Sequence, residues 1–338
     1  MFYNEPVFFE KNRVYRVYTG GKLYSSFFGD DSEDSNYPEE WVASSVKALN
    51  YETDIENEGV SVIKDTGILL TDALKDYKKE MLGDKDDIGI LVKFIDSSVR
   101  LPVQAHPDKE FSRKYFNSDH GKEESWVILG TRPGAKVYFG FRAGVTKEDF
   151  VKAIEKSETG DGGFEELLNS IEVIPGDVIY IPAKFVHAIG AGCLLLEIQE
   201  PTDFTIQPER YCGTHRLRDE EMYMGIDPDE ALDCFDFDKS VNAPLSPETI
   251  IFDDGLLYQS LIGPGITDTF NVRMINLSGG EFLLDKPAVI YVATEGEGAL
   301  TGDGYEHKLK RGDYFLLPAA AVDKFKITGN IKVVECYE

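Results

Sequence analysis

The chain carries 61 aspartates and glutamates against 35 lysines and arginines over 338 residues, a formal charge of -26. Nucleic acid and anionic membrane surfaces are excluded as natural partners, because both are polyanions and no Lys/Arg-rich run reverses the field locally. With 42% hydrophobic and 12% aromatic residues, the sequence can fill a large core, which excludes general disorder.

No basic segment followed by an apolar run opens the chain, and nowhere do about 18 apolar residues run together, so it reads as soluble and cytoplasmic. Cys193, Cys212, Cys234 and Cys336 lie far apart without C-x-x-C spacing and read as ordinary reduced thiols. In chain order, β runs are expected at Val14 to Tyr18, Ile88 to Phe94, Ser125 to Leu129, Lys136 to Phe141, Val178 to Ile181, Leu194 to Ile198, Ala288 to Ala293 and Tyr314 to Leu317. Helical patterns fall at Glu39 to Asn50, Leu70 to Leu82, Lys147 to Lys156 behind the N-cap Thr146, and Phe164 to Ser170. Asp227 to Glu248, rich in Pro and Asp, has little periodicity and reads as a connection between two bodies.

An internal echo supports two units of similar design. Gly176-Asp-Val-Ile-Tyr-Ile-Pro182 returns as Gly312-Asp-Tyr-Phe-Leu-Leu-Pro318: a Gly-Asp turn, four apolar strand residues, then Pro. In that register His187 answers to Asp323, so only the first copy brings an imidazole to the strand mouth.

Gln104 and His106 are two apart in a β-type run and therefore leave one face of the strand. Downstream, Gly121-Lys-Glu-Glu-Ser-Trp126 opens a strand with a carboxylate at its start, and His187 follows the first Gly-to-Pro turn. An amide oxygen, a carboxylate and two imidazoles make a mixed N/O donor set that suits zinc and can hold manganese, iron or cobalt. The spacing leaves open whether the three segments converge. His120, His215 and His307 sit in polar stretches and read as surface residues.

On these residues the sequence resembles a known family, the type I mannose-6-phosphate isomerases of the cupin superfamily, in their short bacterial form. The resemblance rests on Gly20-Gly21-Lys-Leu23, Glu39-Glu40-Trp41-Val-Ala-Ser44, Lys93-Phe-Ile-Asp96, Leu101-Pro-Val-Gln-Ala-His-Pro-Asp-Lys109, Gly121-Lys-Glu-Glu-Ser-Trp126, Ile181 to Gly192 and Glu197-Ile-Gln199. It implies a mainly β protein of two cupin-type jelly-roll barrels with helical insertions in and around the first. The expected division is a metal-binding catalytic domain over residues 1–235 and a cupin-like domain without metal ligands over 246–338. It further implies one zinc ion per chain on Gln104, His106, Glu124 and His187, and interconversion of mannose 6-phosphate and fructose 6-phosphate by proton transfer between C1 and C2. Glu197 matches a carboxylate near the family's site and is the candidate base. Lys122 matches a lysine near the substrate, with Lys109 a weaker candidate for contact. A small sugar phosphate is the expected partner, and the chain is expected as monomer or homodimer.

The sequence departs from the family where the substrate is read. After Glu-Ile-Gln, an arginine is usual at the position held here by Gln207, and a neutral amide cannot supply a bidentate cationic fork. Arg210, beyond Pro208, is expected to take that role, and Lys184 adds a cation before His187. Pro102 stands where serine is usual. Two alternatives therefore stay open: an isomerase of a different sugar or sugar phosphate, and a non-catalytic sugar-binding cupin.

Overall fold

The computed structural model describes residues 1–160, 162–241 and 243–338, and strands carry its architecture. Leu91–Asp96 and Cys193–Gln199 are buried along their whole length. They form the middle of a six-stranded antiparallel sheet ordered Arg13–Val14, Glu39–Val42, Leu91–Asp96, Cys193–Gln199, Glu124–Thr131, Val178–Ile181. A three-stranded sheet of Leu168–Glu172, Lys136–Phe141 and His187–Ile189 shares a core with it, where Val137 and Ile189 join Ile95, Trp126 and Leu195. A seven-stranded antiparallel sheet is built from Glu248–Asp253 through Phe325–Tyr337. The mainly β, cupin-like expectation holds.

Because successive strand residues point to opposite faces, the six-stranded sheet sorts its side chains into two sets. Val42, Val92, Phe94, Val127, Leu196 and Ile198 make one face and merge with Ile262, Val272, Ile290 and Val334 of the seven-stranded sheet into a single apolar core. The opposite face carries Trp41, Lys93, Glu197 and Trp126 in one row across four strands, since the register pairs Trp41 with Lys93, Lys93 with Glu197 and Glu197 with Trp126. Charges in the middle of a sheet cost free energy unless paired, so this row marks the working face.

Several elements differ from their sequence patterns. Glu39 to Asn50 is not helical: Glu39–Val42 is a buried strand between Arg13–Val14 and Leu91–Asp96, and ladder hydrogen bonds on both sides outweigh its modest helical propensity. The run from Val14 shrinks to Arg13–Val14, and the helix from Leu70 breaks at Tyr77 into Leu70–Asp76 and Lys78–Leu82. Phe164–Leu167 is helical, but Leu168–Glu172 pairs with Lys136–Phe141 instead. Lys147–Ser157 forms as expected, with Thr146 and Asp149 in a capping box. In the connecting stretch, Pro228–Ala231 and Leu232–Cys234 are short helical turns packed near Phe150; Asn242 lies outside the described residues.

The Gly-Asp echo is real in three dimensions. Gly176 at φ +100° and Gly312 at φ +92° each lead into a four-residue strand, Val178–Ile181 and Tyr314–Leu317. The Gly20-Gly21 motif has a structural cause: a Cβ on Gly20 would lie 1.7 Å from the Asp96 carbonyl oxygen, and the Asp96 carboxylate accepts from Gly21 N (2.9 Å) and Leu23 N (2.7 Å).

The seven-stranded sheet holds its own buried carboxylate. Glu335, fully buried, accepts from Tyr258 Oη (2.5 Å) and Tyr291 Oη (3.1 Å) and pairs with Lys286 Nζ at 3.2 Å. Glu335→Ala would strand two buried hydroxyls and a half-buried ammonium, and is expected to destabilise the fold by about 3 kcal/mol. Urea unfolding checks this, and an unmoved midpoint would show that the cluster adds nothing.

Candidate active site

The backbone brings the three candidate segments together. Gln104 and His187 exchange both main-chain hydrogen bonds at 2.9 Å, while Ala105 exchanges its pair with Ile206. Residues 104–106 are thus held between the strand that opens at His187 and the segment around Ile206, so the alternation read in the sequence does put Gln104 and His106 on one side. Glu124 opens its strand beside Cys193–Gln199, and His187 opens His187–Ile189.

At this meeting point His106 Nε2 lies 3.0 Å from Glu124 Oε2, and His187 Nε2 lies 3.3 Å from Glu124 Oε1. The ligand-capable atoms of these three residues all fall within 4.8 Å of one another, and none of the residues is more than 1% exposed. Gln104 Nε2 is 3.3 Å from His187 Nε2, and a half-turn of the amide presents Oε1 to the same point. The second ring nitrogens are committed elsewhere: His106 Nδ1 to Phe204 O at 2.9 Å and His187 Nδ1 to Phe185 O at 2.8 Å. A carbonyl only accepts, so each Nδ1 carries the proton and each Nε2 turns a lone pair on the carboxylate.

Burial pushes the His106 imidazole down to about 3, with Lys122 adding to the effect, and burial also lowers His187. Burial alone would raise Glu124, but the Lys122 ammonium beside it holds it well below the usual carboxylate range. Two neutral imidazoles, an anionic carboxylate and an amide oxygen thus converge where lone pairs oppose lone pairs. Glu124 Oε2 is buried, yet no donor reaches it with hydrogen-bond geometry. This donor set fits a divalent transition metal, and zinc suits it well.

Beside the cluster opens a cavity of about 760 Å³, its mouth included, lined by Gln104, Lys122, Glu197, Lys93 and Arg16. Lys122 Nζ stands 2.9 Å from His106 Nε2 and 3.2 Å from Glu124 Oε2. Trp126 Nε1 donates at 3.1 Å to both Glu124 Oε1 and Glu197 Oε2, tying the donor cluster to the next carboxylate. Burial and the charge of Glu124 push Glu197 up to about 7, outweighing Lys93 Nζ at 3.5 Å. Lys93 also faces Asp203 at 3.6 Å and Glu39 at 3.9 Å. Burial opposes its charge, but Glu39, Asp203 and Glu197 raise its pKa and keep it protonated.

The cation expectations are corrected in part. Arg210 turns away from the cavity: Nε bonds Glu158 at 2.7 Å, and NH1 takes Leu217 O at 2.9 Å and Asp219 at 2.7 Å. The hairpin of Tyr211–Cys212 and His215–Arg216, together with the bond from Arg210 N to Ser157 Oγ, fixes that direction. Lys109, half exposed, faces Glu200 at 3.7 Å, and Lys184 faces Asp108 at 3.9 Å; neither lines the cavity. Gln207 does line it, with Nε2 donating to Glu221 O at 2.9 Å. His307 is not a plain surface residue: its ring packs against Phe8 with centroids 4.2 Å apart and planes tilted by 31°.

Sequence reasoning gave no role to Arg16 and Asp203. Lys93 and Glu39 lay inside quoted motifs without a role. The available signal was a charge within an apolar strand, as in Leu-Val-Lys93-Phe-Ile. A second grouping, Glu52, His215 and Glu221, stands at the cavity mouth, where Arg218 already pairs with both glutamates.

The fold and the donor set define a metal-binding cupin. Residues 264–338 match the family model described as mannose-6-phosphate isomerase, cupin domain. The chain is 30% identical to mannose-6-phosphate isomerase ManA of Bacillus subtilis, over 98% of both chains, and 25% identical to the mannose-6-phosphate isomerase of Streptococcus mutans, over 98% of this chain and 97% of that one. The crystal structure of the mannose 6-phosphate isomerase from Bacillus subtilis superposes with a TM-score of 0.79 at 24% identity, covering 98% of this chain and 99% of that one. A variant of phosphomannose isomerase from Salmonella typhimurium superposes at 0.74 with 15% identity, covering 99% and 100%. The chain belongs to the mannose-6-phosphate isomerase family.

Proposed function

We propose that this protein is a metal-dependent aldose-ketose isomerase that interconverts mannose 6-phosphate and fructose 6-phosphate, with zinc on Gln104, His106, Glu124 and His187. The observation that carries the reading is the pairing, at one cavity, of a donor cluster whose imidazole tautomers are fixed with a carboxylate, Glu197, held near neutrality. The named activities of the relatives agree with it.

The bound ion supplies Lewis-acid polarisation of the oxygens on C1 and C2 of the open-chain sugar. Glu197 takes the proton from C2 of the aldose and returns it to C1 of the enediol while the hydroxyl proton on O2 passes to O1, and its raised pKa matches it to both halves of the carbon-to-carbon transfer. Lys122 offers ammonium N–H groups to the oxygen on which negative charge develops. Trp126 holds Glu197 Oε2 at 3.1 Å and Lys93 stands by its other oxygen, which fixes the carboxylate for transfer.

Metal-loaded protein incubated with mannose 6-phosphate in D2O tests this by NMR. Formation of fructose 6-phosphate is expected, with the share of deuterium at C1 reading how far the proton on Glu197 exchanges with solvent, whereas tight binding of the sugar phosphate without ketose formation would favour the non-catalytic sugar-binding alternative.

A further inference from the structure

A hexose 6-phosphate with C1 and C2 at the donor cluster must place a dianion at the far end of the cavity. Among the described residues three cations line that cavity, and each is already paired with at least one carboxylate. Lys122 is in contact with His106 and Glu124, at the C1–C2 end. Lys93 lies among Glu197, Asp203 and Glu39, with its ammonium 4.8 Å from the Trp41 ring centroid.

Arg16 is the third. It shares Glu39 and Asp203 with Lys93, and among the described residues no ion pair joins it to Glu197 or Glu124. Its backbone is clamped to Asn36, with N donating to Asn36 O and O accepting from Asn36 Nδ2, both at 2.8 Å. Nε donates to Glu39 Oε1 at 2.9 Å, NH2 to both oxygens of Asp203 at 3.1 and 3.2 Å, and NH1 to Asn50 Oδ1 at 2.8 Å. NH1 carries two hydrogens, and one has no partner among the described residues. The guanidinium is thus fixed before any ligand arrives, and Glu39 and Asp203 keep it charged against the effect of burial.

We propose that Arg16 binds the phosphate of the substrate and sets the preference for a phosphorylated sugar, a task that Gln207 on the same cavity lining cannot perform as a neutral amide. This rests on the isomerase reading above. The remaining NH1 hydrogen replaces hydration of the phosphate with a charge-assisted bond whose ordering is already complete, so affinity is gained without further loss of side-chain freedom.

The test compares wild type, Arg16→Gln, Arg16→Lys and the double variant Arg16→Gln/Gln207→Arg, all metal-loaded, on mannose 6-phosphate and on unphosphorylated mannose. Arg16→Gln is expected to raise KM for mannose 6-phosphate about 30-fold and to lower kcat/KM for mannose by a much smaller factor, because the lost phosphate contact falls only on the phosphorylated sugar. Arg16→Lys keeps a cation beside Glu39 and Asp203 but loses the fixed NH1 donor, so a rise of about tenfold is expected with the fold retained. The double variant is expected to recover part of the loss. An unchanged KM in folded Arg16→Lys and Arg16→Gln, or equal losses on both sugars, would overturn the assignment. If wild type did not turn over mannose 6-phosphate, the isomerase reading would fail by itself. Calorimetry with mannose 6-phosphate would then judge Arg16: binding weakened by Arg16→Gln supports it, and undiminished binding rejects it.

Discussion

Glu124→Gln is expected to lower turnover of mannose 6-phosphate by about 10³-fold or more and to reduce bound metal well below that of wild type. The substitution keeps shape, and an amide oxygen can still accept from Trp126 Nε1, so the fold should survive. It removes the only anionic donor of the cluster. Three neutral donors remain, and the attraction that concentrates a divalent cation against two imidazole lone pairs is lost. Metal content measured by plasma emission, beside the rate on the same sample, checks both halves. Full metal occupancy with a rate within tenfold of wild type would show that Glu124 does not anchor the ion.

Glu197→Gln should separate chemistry from binding. The substituted amide can still accept a hydrogen bond from Trp126 Nε1, and the donor cluster is untouched, so metal content and KM are expected to stay within about threefold. The proton acceptor is gone, and kcat is expected to fall by about 10²- to 10⁴-fold. A variant that loses metal instead would place Glu197 among the residues that support the cluster. One that keeps its kcat would move the base elsewhere.

Much of this arrangement was legible in the sequence, for physical reasons. Gln104 and His106 share a strand face because the side-chain period is two, and fixed main-chain pairing with His187 and Ile206 lets that period act. The Gly176 and Gly312 turns announced themselves because positive φ favours glycine. Glu39 to Asn50 misled because its local pattern suits a helix, whereas its conformation is decided by strands far away in the chain. The cations were the least legible part. Arg210 is close in sequence to the expected position, but a hairpin and two carboxylates capture it. Arg16 is about 190 residues from Gln207, and only the tertiary fold brings Asp203, Glu39 and Lys93 together beside it.

Metal-dependent ketose formation is the property on which the other assignments depend. Fructose 6-phosphate production from mannose 6-phosphate would be followed on metal-loaded protein, then after chelation, then after zinc is returned, with metal content determined on each sample. Turnover that tracks occupancy, vanishing on chelation and recovering with zinc, is the predicted result. A rate unaffected by complete removal of the metal, or no ketose at one ion per chain, would contradict it.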